Sequence, residues 1–540
     1  MAAPASGADG GDDFLPIEDR WRIAFPDWDR YAHGRRRVAP YTGGRWYDPY
    51  HQNVLKGDYP IAGKATFLNL TLVSDSVADG RRLPTPSGAS AADPGGEEFF
   101  GGGNELAAST ILLLSLDLFH GAAAFRPVDW RVRLTPAANF NLLDVEESGI
   151  VNIDVREGTE RTDHHVGLQE GFVEVKLFDV SANYDVVALR AGVQGFLSDF
   201  RGLIFADNEP GIRLFGNWAS NRSSWNLAFF KMYEKDTNSL LNTSDLDSRR
   251  QKVYIANMYR QDFIWPGYTA GFSLHVNRDE ESVHFDDNGF LVRPAAIGSL
   301  QPHAIDATYL GWTGSGHIDR FNLTHALYHV SGDDSENPIA TQPVRIDAWM
   351  GALEASFDRD WLRYRGQVLW ASGDGDPIDD QGEGFDAVFD NPQFAGAGTS
   401  FWVRQAIPLA GTKVDLVGAS SLLPSLRSSK EEGQASFVNP GLRLVGLGAD
   451  AEITPKVRAS ANLNLLWFDD PSSIELLLFQ PGIDRFIGTD FGCGVQWRPF
   501  LNNNMIVTGT ASTLFPGAGF EDIYAGRQLF SVTMSLTLVY

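Results

Sequence analysis

The chain predicts an all-β fold: a transmembrane, up-and-down antiparallel β-barrel of about 18 strands, with short periplasmic turns and long extracellular loops. Three observations predict it. Strand-length segments alternate apolar and polar residues along most of the 540 residues. Their connections alternate long and short from end to end, as in outer-membrane barrels. No run approaches the 18 or more apolar residues that a membrane-crossing helix needs, whereas barrel strands hide from hydropathy because half of each is polar.

The alternation is clearest in the last segment, where Phe530, Val532, Met534, Leu536, Leu538 and Tyr540 face one side and Ser531, Thr533, Ser535 and Thr537 the other. A strand of this kind resembles the closing strand of bacterial outer-membrane barrels. Eighteen candidates follow the pattern: 65–75, 108–120, 130–143, 168–180, 184–197, 210–219, 223–235, 252–262, 267–278, 304–313, 317–330, 344–358, 360–372, 441–453, 456–469, 486–498, 503–514 and 526–540. Among the connections, 76–107, 144–167, 236–251, 279–303 and 373–440 are long, and 181–183, 220–222, 263–266, 314–316 and 454–455 are short. Ser181-Ala182-Asn183, Ser220-Asn221-Arg222, Gly314-Ser315-Gly316 and Asn502-Asn503 supply tight-turn residues. An even strand number puts both ends of the sheet on the short-turn side. Closure is required because an open sheet edge in lipid leaves backbone groups unpaired at several kcal/mol each. Trp218, Trp225, Trp312, Trp361, Trp370, Trp467 and Trp497 fall near expected strand ends, where interfacial aromatic girdles sit.

Composition narrows the function classes. A formal net charge of -25 argues against nucleic acid as a partner, and a single cysteine, Cys493, excludes an intramolecular disulfide framework. The first residues, Met1 to Asp13, carry neither the basic nor the apolar region of a signal peptide. For an outer-membrane protein the chain therefore reads as a mature form. Residues 1–63, with the basic run Arg35-Arg36-Arg37 and an aromatic stretch at 45–61, form an N-terminal periplasmic extension or plug, and 64–540 the barrel, with 373–440 as its longest extracellular or pore-folded loop.

Strand 361–370, Trp-Leu-Arg-Tyr-Arg-Gly-Gln-Val-Leu-Trp, runs into Ala371-Ser372-Gly373-Asp374-Gly375-Asp376-Pro377-Ile378-Asp379 and then Phe385-Asp386-Ala387-Val388-Phe389. This pair of segments resembles the alginate-export family of outer-membrane barrels. The resemblance implies eighteen strands and an arginine-rich pore passing an anionic polysaccharide. The stretch 420–442 has no counterpart role there.

The alternation itself turns Arg131, Arg133, Arg190, Arg213, Arg345, Arg363, Arg365, Arg458 and Arg498 toward the lumen, with Glu174, Asp347 and Asp490 as acidic companions. Basic rings favour anions, and arginine binds carboxylates in a bidentate fork; the competing role is bracing the wall through ion pairs. Acidic residues concentrate in the expected outer loops. Asp374, Asp376, Asp379, Asp380, Glu383 and Asp386 are candidate ligands for a structural Ca²⁺, although their spacing is not that of an EF-hand. No nucleophile elbow, phosphate loop or zinc-protease helix motif occurs. His164-His165 falls in an expected outer loop, and His325 and His329 have no serine assignable beside them. The expected function is an outer-membrane channel for anionic solutes or anionic polysaccharide, with lipid and lipopolysaccharide around it. The alternatives are a scaffold barrel plugged by its own loop, serving a periplasmic or surface protein partner, and, third, an outer-membrane hydrolase.

Overall fold

The computed structural model describes residues 45–49, 51, 53–89, 98, 100–121, 126–411, 413–524 and 527–540. Eighteen long strands form one sheet: β1 Thr66–Arg82, β2 Asn104–His120, β3 Trp130–Val145, β4 Glu160–Asp179, β5 Val186–Leu197, β6 Ala206–Trp218, β7 Ser223–Tyr233, β8 Ser248–Gln261, β9 Tyr268–Asp279, β10 Ile305–Ile318, β11 Phe321–Asp334, β12 Val344–Arg359, β13 Leu362–Ala371, β14 Leu442–Thr454, β15 Val457–Trp467, β16 Phe486–Trp497, β17 Met505–Pro516 and β18 Leu529–Val539. Each pairs antiparallel with its chain neighbours, and β18 returns to β1 in a ladder running from Val73↔Val539 to Arg82↔Phe530. The sheet is thus a closed 18-stranded barrel without an edge. Among the described residues, no helix is long and apolar enough to cross a membrane.

Burial is inverted relative to a water-soluble protein. On β18, Phe530, Val532 and Met534 are 41%, 59% and 63% exposed, while Ser531 and Thr533 are 2% and 5% exposed. The same inversion runs round the wall: Leu134, Val173, Ile212, Leu310 and Leu447 point out, whereas Asp117, Glu174, Asn257, Gln367 and Asp490 are buried inside. An apolar outer belt with polar groups inward is the surface that lipid demands.

The strands extend further than the apolar pattern predicts, because residues beyond the lipid belt need not be apolar. β1 continues through Ser76–Arg82, and β4 begins at Glu160, so His164 and His165 lie in a strand and not in a loop. The turn placed at Gly314-Ser315-Gly316 is also displaced. Those residues are inside β10, and the chain reverses at Asp319-Arg320, with Asp319 at φ 52°. Gly314 serves packing instead: a Cβ there would lie 2.3 Å from both His325 Nε2 and Tyr268 Oη, which are hydrogen-bonded at 2.7 Å. Trp312 is correspondingly in mid-strand, not at an end.

Of the N-terminal segment, residues 1–44, with Arg35–Arg37, lie outside the described residues. The described part, 45–63, docks at the short-turn rim beside the β1/β18 seam. Asn53 Nδ2 donates to Trp46 O at 2.7 Å and to Tyr540 Oη at 3.0 Å, and Lys56 Nζ sits 4.2 Å above the Tyr540 ring while donating to Leu70 O at 2.7 Å.

The long connection between β13 and β14, residues 372–441, enters the barrel and builds a hydrophobic core there. It carries a short helix at Phe401–Arg404 and a small ladder, Ile407–Ala410 against Val414–Val417. Phe385, Phe401, Trp402, Leu409, Leu416, Leu426 and Phe437 are all completely buried, in one cluster with inward residues of the wall such as Phe230, Ile305, Tyr328, Met350 and Leu444. Where the plug packs, the wall presents apolar residues to its core together with polar groups that bond to its backbone and side chains.

Candidate functional site

Two features shape the lumen: the plug, and a charged lining on its short-turn side. The plug is held from several directions. Gln405 Nε2 donates to Asp79 Oδ2 on β1 at 3.0 Å. Ser400 Oγ and Phe401 N donate to the Asp490 carboxylate on β16 at 2.6 and 2.9 Å. Asn462 and Asn464 of β15 each donate to Ala395 O at 2.9 Å. On the opposite side, the buried guanidinium of Arg249 donates to the carbonyls of Glu431 and Gly433, and Arg293 donates to Glu432 O at 3.1 Å while pairing with Glu234 at 3.0 Å. Contact with the wall is close: a Cβ on Gly492 of β16 would lie 1.9 Å from Thr399 O. The loop before β6 joins the plug through a parallel bridge, Phe205↔Phe389.

Seven of the nine expected lumen arginines face inward on the strands. Arg131 and Arg133 share Asp117 at 3.1 and 2.9 Å, and Arg133 also reaches Glu170 at 3.4 Å. Arg190 Nε donates to Glu174 at 2.8 Å. Arg213 donates to Asn226 Oδ1 at 2.7 Å and lies 4.4 Å over the Phe215 ring; among the described residues it makes no ion pair. Across the barrel, Arg363 pairs with Asp358 at 2.5 Å, Arg365 with Asp450 at 3.0 Å, and Arg458 with Asp450 and Glu452, both at 3.6 Å.

Three assignments are corrected. Arg345 points outward, pairing with Asp380 at 3.2 Å, and Asp347 points outward with it. The apolar-out rule reverses locally because Ile346, Ala348 and Met350 pack inward against the plug. Arg498 lies in the turn after β16, 3.9 Å from Glu452. Several lumen residues escaped the sequence reading, among them Asp117, Arg249, Glu354 and Asp450 on strands; a further one, Arg201, on the loop between β5 and β6, folds inward to the Glu354 carboxylate and donates to Gln393 O at 3.1 Å. No strand pattern signals Arg201, because it is not on a strand.

Arg201, Arg363, Arg365 and Arg458, with Glu354 and Asp450, line a cavity of about 550 Å³ beneath plug residues 393–399. Its walls alternate in sign, so an incoming anion competes with resident carboxylates for each guanidinium.

The six acidic residues considered for Ca²⁺ do not converge. Asp386 is buried against Arg427 at 2.9 Å, Asp380 meets Arg345, and Asp374 accepts Asp376 N at 3.0 Å and Glu383 N at 3.3 Å. Among the described residues, no group of three or more acidic, histidine or cysteine side chains is placed to hold a metal ion. Burial and the neighbouring carboxylates of Asp379 and Glu383 push the Asp374 carboxyl up to about 7.

No protein-family model and no curated protein matches this chain. Solved structures do resemble it in outline. Pseudomonas aeruginosa OccK7 (OpdD) aligns with a TM-score of 0.49 and 10% identity over 88% of this chain and 98% of its own. A BenF-like porin from Pseudomonas fluorescens Pf-5 gives 0.49 and 8% over 88% and 98%. Pseudomonas aeruginosa OccK2 (OpdF), solved in complex with glucuronate, gives 0.45 and 11% over 87% and 97%. The alginate-export resemblance of 371–391 gains no support from these structures. Barrels of one architecture carry different cargoes, so the lumen of this chain has to speak for its own.

Proposed function

We propose that the chain is a bacterial outer-membrane channel for small anionic solutes, with its short-turn rim in the periplasm, its long loops outside, and 372–441 as an internal constriction. The observation that carries this reading is the charged cavity inside a closed, apolar-coated barrel. A wall that only braced itself would pair every lumen arginine, yet Arg213 turns its Nε to the Asn226 amide and, among the described residues, meets no carboxylate. Small solutes are favoured over a polysaccharide because the plug crosses the lumen, and a polymer chain needs a continuous bore. Reconstitution in planar bilayers tests the reading. Conductance with an anion preference is expected, and Arg213→Ala should reduce that preference severalfold with little change in total conductance. A cation preference, or an anion preference indifferent to Arg213, refutes it.

One observation favours a second reading. The plug core is packed like the interior of a soluble domain, as a sealed scaffold barrel for an envelope or surface complex would be. That reading expects no conductance from the intact chain.

A further inference from the structure

The outer wall carries a feature that conduction does not use. Between β7 and β12 the lipid-facing surface is indented by an apolar groove of about 730 Å³, lined by Leu227, Ala256, Leu274, Leu310, Trp312 and Trp349 among others. Ala256 on β8 contributes only a methyl group to the lining, and the indoles come from Trp312 on β10 and Trp349 on β12. The ladder registers fix what lies above it. Lys252↔Arg278↔Asp306↔Asp333↔Arg345 form a single outward row across five strands. The next row toward the membrane centre is Tyr254, Val276, Thr308, Ser331 and Asp347, and the one after is Ala256, Leu274, Leu310, His329 and Trp349. Each step is two residues, about 7 Å. A charged row, a hydrogen-bonding row and an apolar groove therefore follow one another over roughly 14 Å, the same sequence of layers as headgroup, ester linkage and acyl chain. His329 Nε2, in the groove row, meets Asp347 of the row above it at 2.8 Å.

The charged row is not equally engaged. Lys252 is 2.5 Å from Glu280, and Arg345 is 3.2 Å from Asp380. Arg278 is 61% exposed, and its nearest carboxylate, Asp306, is 3.7 Å away, beyond hydrogen-bond reach. A guanidinium placed directly above an acyl-sized groove, with its fork available, matches a phosphate.

We propose that this wall is a binding site for a membrane lipid with a net-anionic phosphate headgroup, with an acyl chain in the groove and the phosphate, uncompensated by a headgroup cation, on Arg278. The site rests on the barrel spanning a membrane, not on what the lumen conducts. Its test is native mass spectrometry of the detergent-purified full chain, offered phosphatidylglycerol or phosphatidylcholine with identical acyl chains. The intact protein should retain phosphatidylglycerol at least fivefold over phosphatidylcholine. Arg278→Gln should bring that ratio near one while phosphatidylcholine binding persists. Ala256→Phe combined with Leu310→Trp, which fills the groove, should lower retention of both lipids at least fivefold. Heat-modifiable gel mobility of each variant reports an intact barrel, and insertion into liposomes reports separately on the membrane reading. Retention unchanged in the filled variant, or a phosphatidylglycerol preference unchanged in Arg278→Gln, overturns the proposal. So does a dimer of the intact chain that the filled variant abolishes, since the groove then takes a second copy and not a lipid.

Discussion

Asp386 is the point on which the polar contacts of the plug converge. Its carboxylate accepts from Arg427 Nε at 3.0 Å, Ser436 N at 2.9 Å and Ala387 N at 2.9 Å, and its own carbonyl accepts from Tyr309 Oη at 3.0 Å. Removing one partner of a buried ion pair leaves an uncompensated charge at a cost of about 3–5 kcal/mol. Asp386→Ala should therefore make 372–441 sensitive to limited proteolysis while the strands stay resistant. Asp386→Leu with Arg427→Met should regain most of that resistance, because an apolar pair of similar volume carries no stranded charge; a double variant cleaved as fast as Asp386→Ala would contradict the account. At this scale the sequence showed which side of a strand a residue occupies, and not what it meets there. Arg131, Arg190 and Arg365 were placed inward by alternation alone, but Asp117, Glu174 and Asp450 became their partners only through cross-strand register. Asp386 looked like a cation ligand because five other acidic residues precede it closely in sequence; its partner, Arg427, is 41 residues further on.

The plug is also the element whose hold on the barrel depends on pH. Asp374 closes its neck: Asp374 N donates to Asn439 O at 2.9 Å, tying the two ends of the loop together, and its carboxylate anchors the next turn. A carboxyl pushed from 3.8 up to about 7 is held neutral by the fold. Its contribution is then fully present below about pH 4 and is lost as pH rises toward 7. His284 acts in the same sense at the far side of the plug. It stands 3.6 Å from Glu432 and 3.7 Å from Glu234 and is raised above its ordinary 6.5, first by the Glu432 carboxylate. Its contribution is present below that value and fades above it. Amide exchange across 374–439 should accordingly be slower at pH 5 than at pH 8 after correction for intrinsic rates, and Asp374→Asn should flatten the difference. Exchange slower at pH 8 would reverse the assigned sign. The strands were legible because lipid on one face and polar groups on the other enforce a period of two. The plug was not, since 420–442 contributes Leu422, Leu423, Leu426 and Phe437 to the inner core without any regular period.

At the scale of the whole molecule, a plug and a shell share one hydrophobic core, and only the plug depends on the other for its hydrogen bonds. Each of the 18 strands is paired on both sides, and the ladder that closes β1 on β18 contains no plug residue. The plug, by contrast, takes donors and acceptors from β1, β8, β15 and β16 and buries its aromatic residues against their neighbours. Excision of the plug should therefore leave a closed barrel, with a penalty from exposing Tyr328, Met350 and Leu444 to water. Burial of such side chains is worth about 1.5–3 kcal/mol each, a local loss set against a ladder that in lipid has no alternative hydrogen-bond partners. Replacing 374–439 by a short Gly/Ser linker is expected to preserve heat-modifiable mobility and to raise single-channel conductance several-fold. Anion selectivity should fall at the same time, because the cavity loses its roof at 393–399 and Arg363, Arg365 and Arg458 then act across a wide aqueous bore where salt screens them. A shortened chain that no longer forms a heat-modifiable barrel would show that the inner core holds the shell. One that conducts no better than the intact protein would show that the constriction lies outside 372–441.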